Sequence, residues 1–238
     1  GDEIASLGSL SLTPLKISKI LAIHLDKDQV DIEGQAILFE TGIFAKIPDD
    51  MPPHIALAAL DVAGAPAQVK QLVKEGDSVL ILGCAGKSGV LCAYQARKNA
   101  GPNGKVIGII HHDTHRKELE SLNACDHIII GNANNPMEIY EKVMAVTDNQ
   151  GVDVTINVVN VQNTEMASIL PTKPDGTVYF FSMATSFTKA ALGAEGIAAE
   201  SLMIIGNGYT KNHAQITLDI LRESKEMYQL FQNRYGKE

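Results

Sequence analysis

Between residues 78 and 181 the chain repeats one unit: a short apolar run, a break, then a segment with helical period. The runs fall at 78–82, 105–110, 126–130, 153–159 and 177–181, with helix-like segments at 89–99, 117–123, 137–146 and 165–170 between them. A strand that is apolar throughout is covered on both faces. Strand–helix–strand crossovers make the paired strands parallel. The rhythm therefore predicts an α/β fold with a doubly wound parallel sheet, closed by a strand at 203–205 and a helix over 213–231.

The first 50 residues have a different texture. Short β-rich stretches at 4–7, 17–24, 35–39 and 44–47 are followed by the proline-punctuated 48–53. Alanine- and leucine-rich helices are expected at 54–60 and 67–73, with Gly64-Ala65-Pro66 as a break between them. The expected organisation is a β unit over 1–52, a sheet domain over 53–206 and a closing helical segment over 207–238. Twenty Lys+Arg against 28 Asp+Glu give a net charge of −8, and no basic run suits nucleic acid. No apolar run reaches the roughly 20 residues a membrane span needs. Cys84, Cys92 and Cys125 are sparse and have no CxxC spacing, which points to a reducing, cytoplasmic setting and away from a cysteine zinc site. Gly1-Asp2-Glu3 carries no signal-peptide pattern.

The most informative local stretch is Val79-Leu80-Ile81-Leu82-Gly83-Cys84-Ala85-Gly86-Lys87-Ser88-Gly89-Val90. A strand ends at Gly83 and a helix begins near Lys87. Glycines there allow a tight turn, close approach of a pyrophosphate and close helix–strand packing, with free N–H groups facing the phosphates. Gly83, Ala85, Gly86, Lys87, Ser88 and Gly89 are thus the candidate dinucleotide loop. A P-loop is excluded, because only two residues separate Gly83 from Gly86 and that motif needs four. After the second strand come His111, His112, Asp113 and Arg116. Asp113 suits the ribose hydroxyls of NAD, whereas the histidines with Arg116 suit the 2′-phosphate of NADP. NAD is favoured by the spacing of Asp113, and the choice stays open. Adjacent histidines do not share a face and have no third ligand nearby, so they are not read as a metal pair. At the carboxyl ends of later strands, Asn160, Val161, Ser182, Met183, Gly206 and Asn207 are candidate cofactor contacts. Cys84 is read as a packing residue, and Glu165 as stabilising the first turn of its helix.

"KIPDDMPPHIALAALDVAGAPAQV", "VKEGDSVLILGCAGKSG", the segment 122–130 and Gly151-Val152-Asp153-Val154 together resemble the medium-chain dehydrogenase/reductase superfamily. Residues 10–15, 36–42, 59–68 and 163–166, "YFFSMATSFTKAALGAEG" and "MIIGNGYTK" resemble its diamino-acid-deaminating branch of anaerobic lysine fermentation. That resemblance implies a Rossmann-type sheet preceded by part of a GroES-like β domain. It also implies that about a hundred residues of the family's chain precede Gly1.

The same resemblance implies oxidation of a small diamino acid at its amine-bearing C3, with release of ammonia and reduction of NAD or NADP. It implies a zinc-independent enzyme, since Leu60-Asp61-Val62 replaces the cysteine of zinc members. A homodimer paired through the strand at 203–205 is the family expectation. Such chemistry asks for a base, carboxylates facing the substrate's ammonium groups and a cation for its carboxylate. Asp61 and Glu40 are the candidate acidic groups and Lys189 the candidate cation. A zinc-free enone or quinone reductase and a non-catalytic dinucleotide-binding protein share the fold and stay open at this point.

Overall fold

The computed structural model describes residues 1–8, 13–25, 29–206 and 208–236. They form two compact units, Gly1–Pro53 and His54–Glu238. In the first, β1 (Ile4–Ser6) pairs antiparallel with β4 (Phe44–Lys46), and β2 (Leu15–His24) with β3 (Gln29–Ala36). The third strand lies earlier than the expected 35–39. Its sequence, QVDIEGQA, carries little apolar signal, while Ile37, Leu38 and Phe39 follow the strand with exposed side chains. Leu15, Ile17, Ile20, Leu21 and Ile23 of β2 are exposed as well.

The second unit opens with α1 (Pro53–Leu60, beginning at the boundary residue) and α2 (Gly64–Leu72). Gly64-Ala65-Pro66 begins α2 instead of breaking a helix. Proline is tolerated in a first turn, because its missing N–H has no intrahelical acceptor there. The alternation then follows as β5 (Ser78–Leu82), α3 (Lys87–Ala100), β6 (Lys105–Ile110), a 3-10 turn (Asp113–His115), α4 (Arg116–Ser121), β7 (His127–Ile130) and α5 (Pro136–Val146). After these come β8 (Val152–Asn157), α6 (Glu165–Ile169), β9 (Thr172–Phe180), α7 (Phe187–Gly196) and β10 (Leu202–Ile205). Two helices end the chain, α8 (His213–Glu223) and α9 (Lys225–Tyr235).

All six strands of this sheet are parallel, in the order β10-β9-β8-β5-β6-β7. This is the doubly wound Rossmann order, and its topological switch lies between β5 and β8. Val79, Leu80, Ile81 and Leu82 are fully buried, as the uninterrupted apolar runs required. One layer of core joins Leu80, Leu82, Ile107 and Ile109 to Ile139 and Val143 of α5. Another packs Val178 and Phe180 against Ala190 and Ala194 of α7.

The expected helix over 213–231 is two helices. Ser224 adopts an extended conformation, and its hydroxyl accepts the Met227 N–H at 3.1 Å, which starts α9 on a new axis. The break matters to the site, because it directs the last turn of α9 back toward the glycine loop.

Candidate dinucleotide-binding site

The switch between β5 and β8 opens a cavity of about 720 Å³. Gly83 ends β5 with φ +82°, a conformation that glycine adopts without steric cost. Its N–H and that of Cys84 both donate to Ile109 O, at 3.2 and 3.0 Å, which turns the chain toward α3. Gly89 lies against the turn so closely that a Cβ there would stand 2.2 Å from Gly83 O. Gly86 occupies the N-cap of α3 and offers no side chain to the first-turn N–H groups. Lys87, Ser88 and Gly89 line the cavity, so the positive end of the helix faces into it.

The glycine-loop candidates therefore come together: Gly83, Ala85, Gly86, Lys87, Ser88 and Gly89 all line this space, as do His111, His112 and Asn160. Val161 lines a second cavity of about 350 Å³ with Gly83, His111 and Gly131 to Asn134. Gly83, His111 and Val159 border both, so the two cavities adjoin as a trough along the carboxyl ends of β5, β6, β7 and β8.

Asp113 and Arg116 behave differently. Arg116 Nε donates to Asp113 Oδ1 at 2.5 Å, and its Nη1 donates to Ile128 O at 3.0 Å. The two are engaged with each other, and Arg116 with β7 as well; neither lines the cavity, whereas Thr114 and His115 do. His111 and His112 stack edge to face, with ring centroids 4.2 Å apart.

Asp61 follows α1, and its carboxylate accepts from Lys87 Nζ at 2.6 Å. The ammonium also stands 5.6 Å from the Tyr235 ring, and its side chain is largely buried while that of Asp61 is two-thirds exposed. The pair thus fixes a cation at the mouth of the glycine loop and leaves carboxylate oxygen open to a ligand. Glu40 is an exposed turn residue of the first unit.

Lys189 lies in the first turn of α7, where its Nζ donates to Asn163 Oδ1. Residues 182–186 lead into α7, whose N-cap Ser186 accepts the Lys189 N–H at 3.3 Å through its hydroxyl. Ser182 Oγ accepts from Ala184 N–H at 3.1 Å, and Met183 is almost fully exposed. Gly206 N–H donates to Phe180 O at 2.8 Å, continuing the sheet past β10. Asn207 lies outside the described residues.

Three features of the site, at Arg234, Tyr235 and Asn157, had no local signal. Arg234 reaches in from α9: its Nη1 donates to Ala85 O at 2.8 Å, and its Nε donates to Glu118 at 2.9 Å. Burial works against the Glu118 carboxylate, yet the Arg234 guanidinium and His115 hold its pKa below the ordinary range. Tyr235 lines the cavity beside it. Asn157, fully buried at the end of β8, donates to Thr164 Oγ1 at 2.9 Å and Ser168 Oγ at 2.8 Å. Its own oxygen accepts from Val159 N–H at 3.0 Å, which sets the turn into Asn160. Glu165, also buried, accepts from Ser186 N–H at 2.7 Å and so ties α6 to the loop before α7.

No helix among the described residues is long and apolar enough to cross a membrane. Among the described residues no three His, Cys, Asp or Glu side chains are grouped for a metal ion.

A solved alcohol dehydrogenase from Thermus sp. ATN1 shares the fold, with a TM-score of 0.57 and 22% identity over 77% of this chain and 52% of that one. The profile of the L-erythro-3,5-diaminohexanoate dehydrogenase N-terminal domain matches residues 1–48. The L-erythro-3,5-diaminohexanoate dehydrogenase of Acetoanaerobium sticklandii is 57% identical over 235 residues, 99% of this chain and 68% of that protein. Its namesake from Fusobacterium nucleatum subsp. nucleatum is 56% identical over the same shares. Identity at this level runs through both units, and the chain belongs to the L-erythro-3,5-diaminohexanoate dehydrogenase family.

Proposed function

We propose that the protein oxidises L-erythro-3,5-diaminohexanoate at C3 with a nicotinamide dinucleotide, giving (S)-5-amino-3-oxohexanoate and ammonia. The observation that carries the cofactor part is the uncapped first turn of α3 facing a cavity at the switch point of a parallel sheet. The residues fit the group. Lys87, Ser88 and Gly89 would hold the pyrophosphate, His111, His112 and Thr114 would border the adenosine ribose, and Asn160 and Val161 would follow the dinucleotide along the trough. When bound, the nicotinamide accepts hydride from the amine-bearing carbon of the substrate.

The remaining work falls to side chains. Asp61 offers its open carboxylate oxygen to a substrate ammonium, with Lys87 fixing the orientation of that carboxylate. Glu40 is proposed as the second carboxylate and Lys189 as the cation for the substrate carboxylate. Water attacks C3 of the imine left by hydride loss; the C–N bond then breaks and ammonia departs, so the acidic groups must hold and release protons at nitrogen. The exposed edge strand β10, with Leu202 and Ile205 outward, supports pairing with a second copy.

The test is turnover of 3,5-diaminohexanoate by the purified protein at alkaline pH, followed as reduced-nicotinamide absorbance with NAD and NADP separately. Ammonia release in step with the absorbance is expected. Reduction of an enone by NADPH, with no oxidation of the diamino acid, would overturn the proposal.

A further inference from the structure

Glycine in the middle of a central strand weakens it, and Gly108 sits in the middle of β6. A Cβ there would stand 2.7 Å from Cys84 Sγ, 3.0 Å from Cys84 Cβ and 3.2 Å from Cys125 Sγ. Two sulfurs fill the space a side chain would need, and they lie 3.7 Å apart. Both are anchored to the same strand, Cys84 through its N–H to Ile109 O and Cys125 through the next N–H, Asp126, to Val106 O. Cys84 is buried in the glycine loop, while Cys125, ahead of β7, is only partly buried.

We propose that Cys84 and Cys125 form a redox-modifiable pair, which a hydroperoxide converts to a disulfide that deforms the glycine loop. Cys125 is the entry point, since the hydrogen bond to Cys125 and burial both hold the Cys84 thiol well above its usual pKa. The Cys125 thiolate attacks a peroxide oxygen; an S–O bond forms, the O–O bond breaks, and the leaving hydroxide takes a proton as water. The Cys84 sulfur then displaces the sulfenic oxygen, forming S–S and breaking S–O, and its proton leaves with that oxygen as a second water. Two thiols and one hydrogen peroxide thus become one disulfide and two waters.

Bonded sulfurs sit at about 2.05 Å, so the pair must close by about 1.7 Å from 3.7 Å. Cys84 has little slack, because its Cα and carbonyl carbon lie 2.6 Å from the position of a Cβ on Gly89. Drawing Cys84 toward β7 therefore pulls the loop from beneath the first turn of α3. This consequence for dinucleotide binding rests on the reading of the cavity given above; the modification itself does not.

The experiment treats the reduced full chain with hydrogen peroxide, alkylates it, and maps its peptides. A single Cys84–Cys125 cross-linked pair, two hydrogens lighter and reversed by dithiothreitol, is expected, with Cys92 alkylated once the chain is unfolded. Peroxide should also weaken NADH binding at least tenfold, and Cys125→Ser, outside the cavity lining, should keep its affinity after the same treatment. Cys125 found as sulfinic acid with Cys84 still alkylatable would overturn the pair. A disulfide with unchanged NADH affinity would overturn its effect on the loop. Should the reduced protein bind no dinucleotide, the cavity reading fails, and the peptide map still decides the pair.

Discussion

Gly89→Ala separates a structural glycine from a merely permitted one. In an unconstrained first turn, alanine for glycine would stabilise the helix by about 0.8–1.0 kcal/mol. Here the new Cβ would stand 2.2 Å from Gly83 O and 2.6 Å from both Cα and the carbonyl carbon of Cys84. Every one of these is a backbone atom of the turn, so no rotamer change relieves the contact. Overpacking of this kind costs about 1–3 kcal/mol. Set against the propensity gain, it leaves a net loss of up to about 2 kcal/mol. For a chain of this size that lowers Tm by up to about 8 °C. Because relief requires α3 to move off the turn, the N–H groups of Lys87 and Ser88 move too, and NADH affinity should fall with Tm. Thermal melts by circular dichroism and a fluorescence titration with NADH measure both. A companion variant, Gly86→Ala, meets only Gly83 O at 3.3 Å and should keep a near-parental Tm. A Gly89→Ala protein that melts higher than the parent and binds NADH equally well would refute the close-packing argument.

Arg234→Met removes the tether on Ala85 O and should weaken NADH binding about tenfold, or about 1.4 kcal/mol, with titration as the measure; unchanged affinity would show that α9 does not shape the loop. Burial disfavours the Asp153 carboxylate, yet Lys173 Nζ and Ser78 Oγ at 2.6 Å and Ser78 N–H at 2.8 Å hold its pKa below the ordinary value. Its contribution to stability is therefore complete above about pH 4 and is lost as pH falls further. Urea denaturation across pH 3–6 should show a shallower acid slope for Asp153→Asn, and an identical slope would contradict this. Burial lowers the pKa of His213, with its bond to Thr210 opposing. The folded state then holds fewer protons than the unfolded one below about pH 6.5, so stability falls as pH drops through that range. His213→Gln should flatten that stretch of the stability profile between pH 5 and 7.

The parallel sheet was legible because its strands are buried on both faces, and unbroken runs such as Val79 to Leu82 carry that burial in their composition. The glycine loop was legible because turn, approach and packing each demand glycine at a fixed offset. By contrast, α7 buries only Ala190 and Ala194, too small a stripe to mark a helix in Phe187–Gly196. The first unit misled for the opposite reason: Ile37, Leu38 and Phe39 look like strand residues, yet the pairing uses the polar Gln29–Ala36. Arg234 and Tyr235 reach the cavity from 149 residues beyond Ala85 in sequence for the hydrogen-bonded pair, and no local pattern encodes such a contact. The pairing of Cys84 with Cys125 above Gly108 likewise exists only once β5, β6 and β7 lie side by side. Asp61 is a candidate in the sequence at the position of the zinc members' cysteine, but its Lys87 partner, 26 residues on, is a product of the fold.

The most direct measurement is an electron-density map of crystals soaked with NADH. The account predicts pyrophosphate density within hydrogen-bond reach of the Lys87, Ser88 and Gly89 N–H groups, with the dinucleotide running past His111 toward Asn160. A dinucleotide bound elsewhere, or an empty trough at saturating NADH, would contradict it.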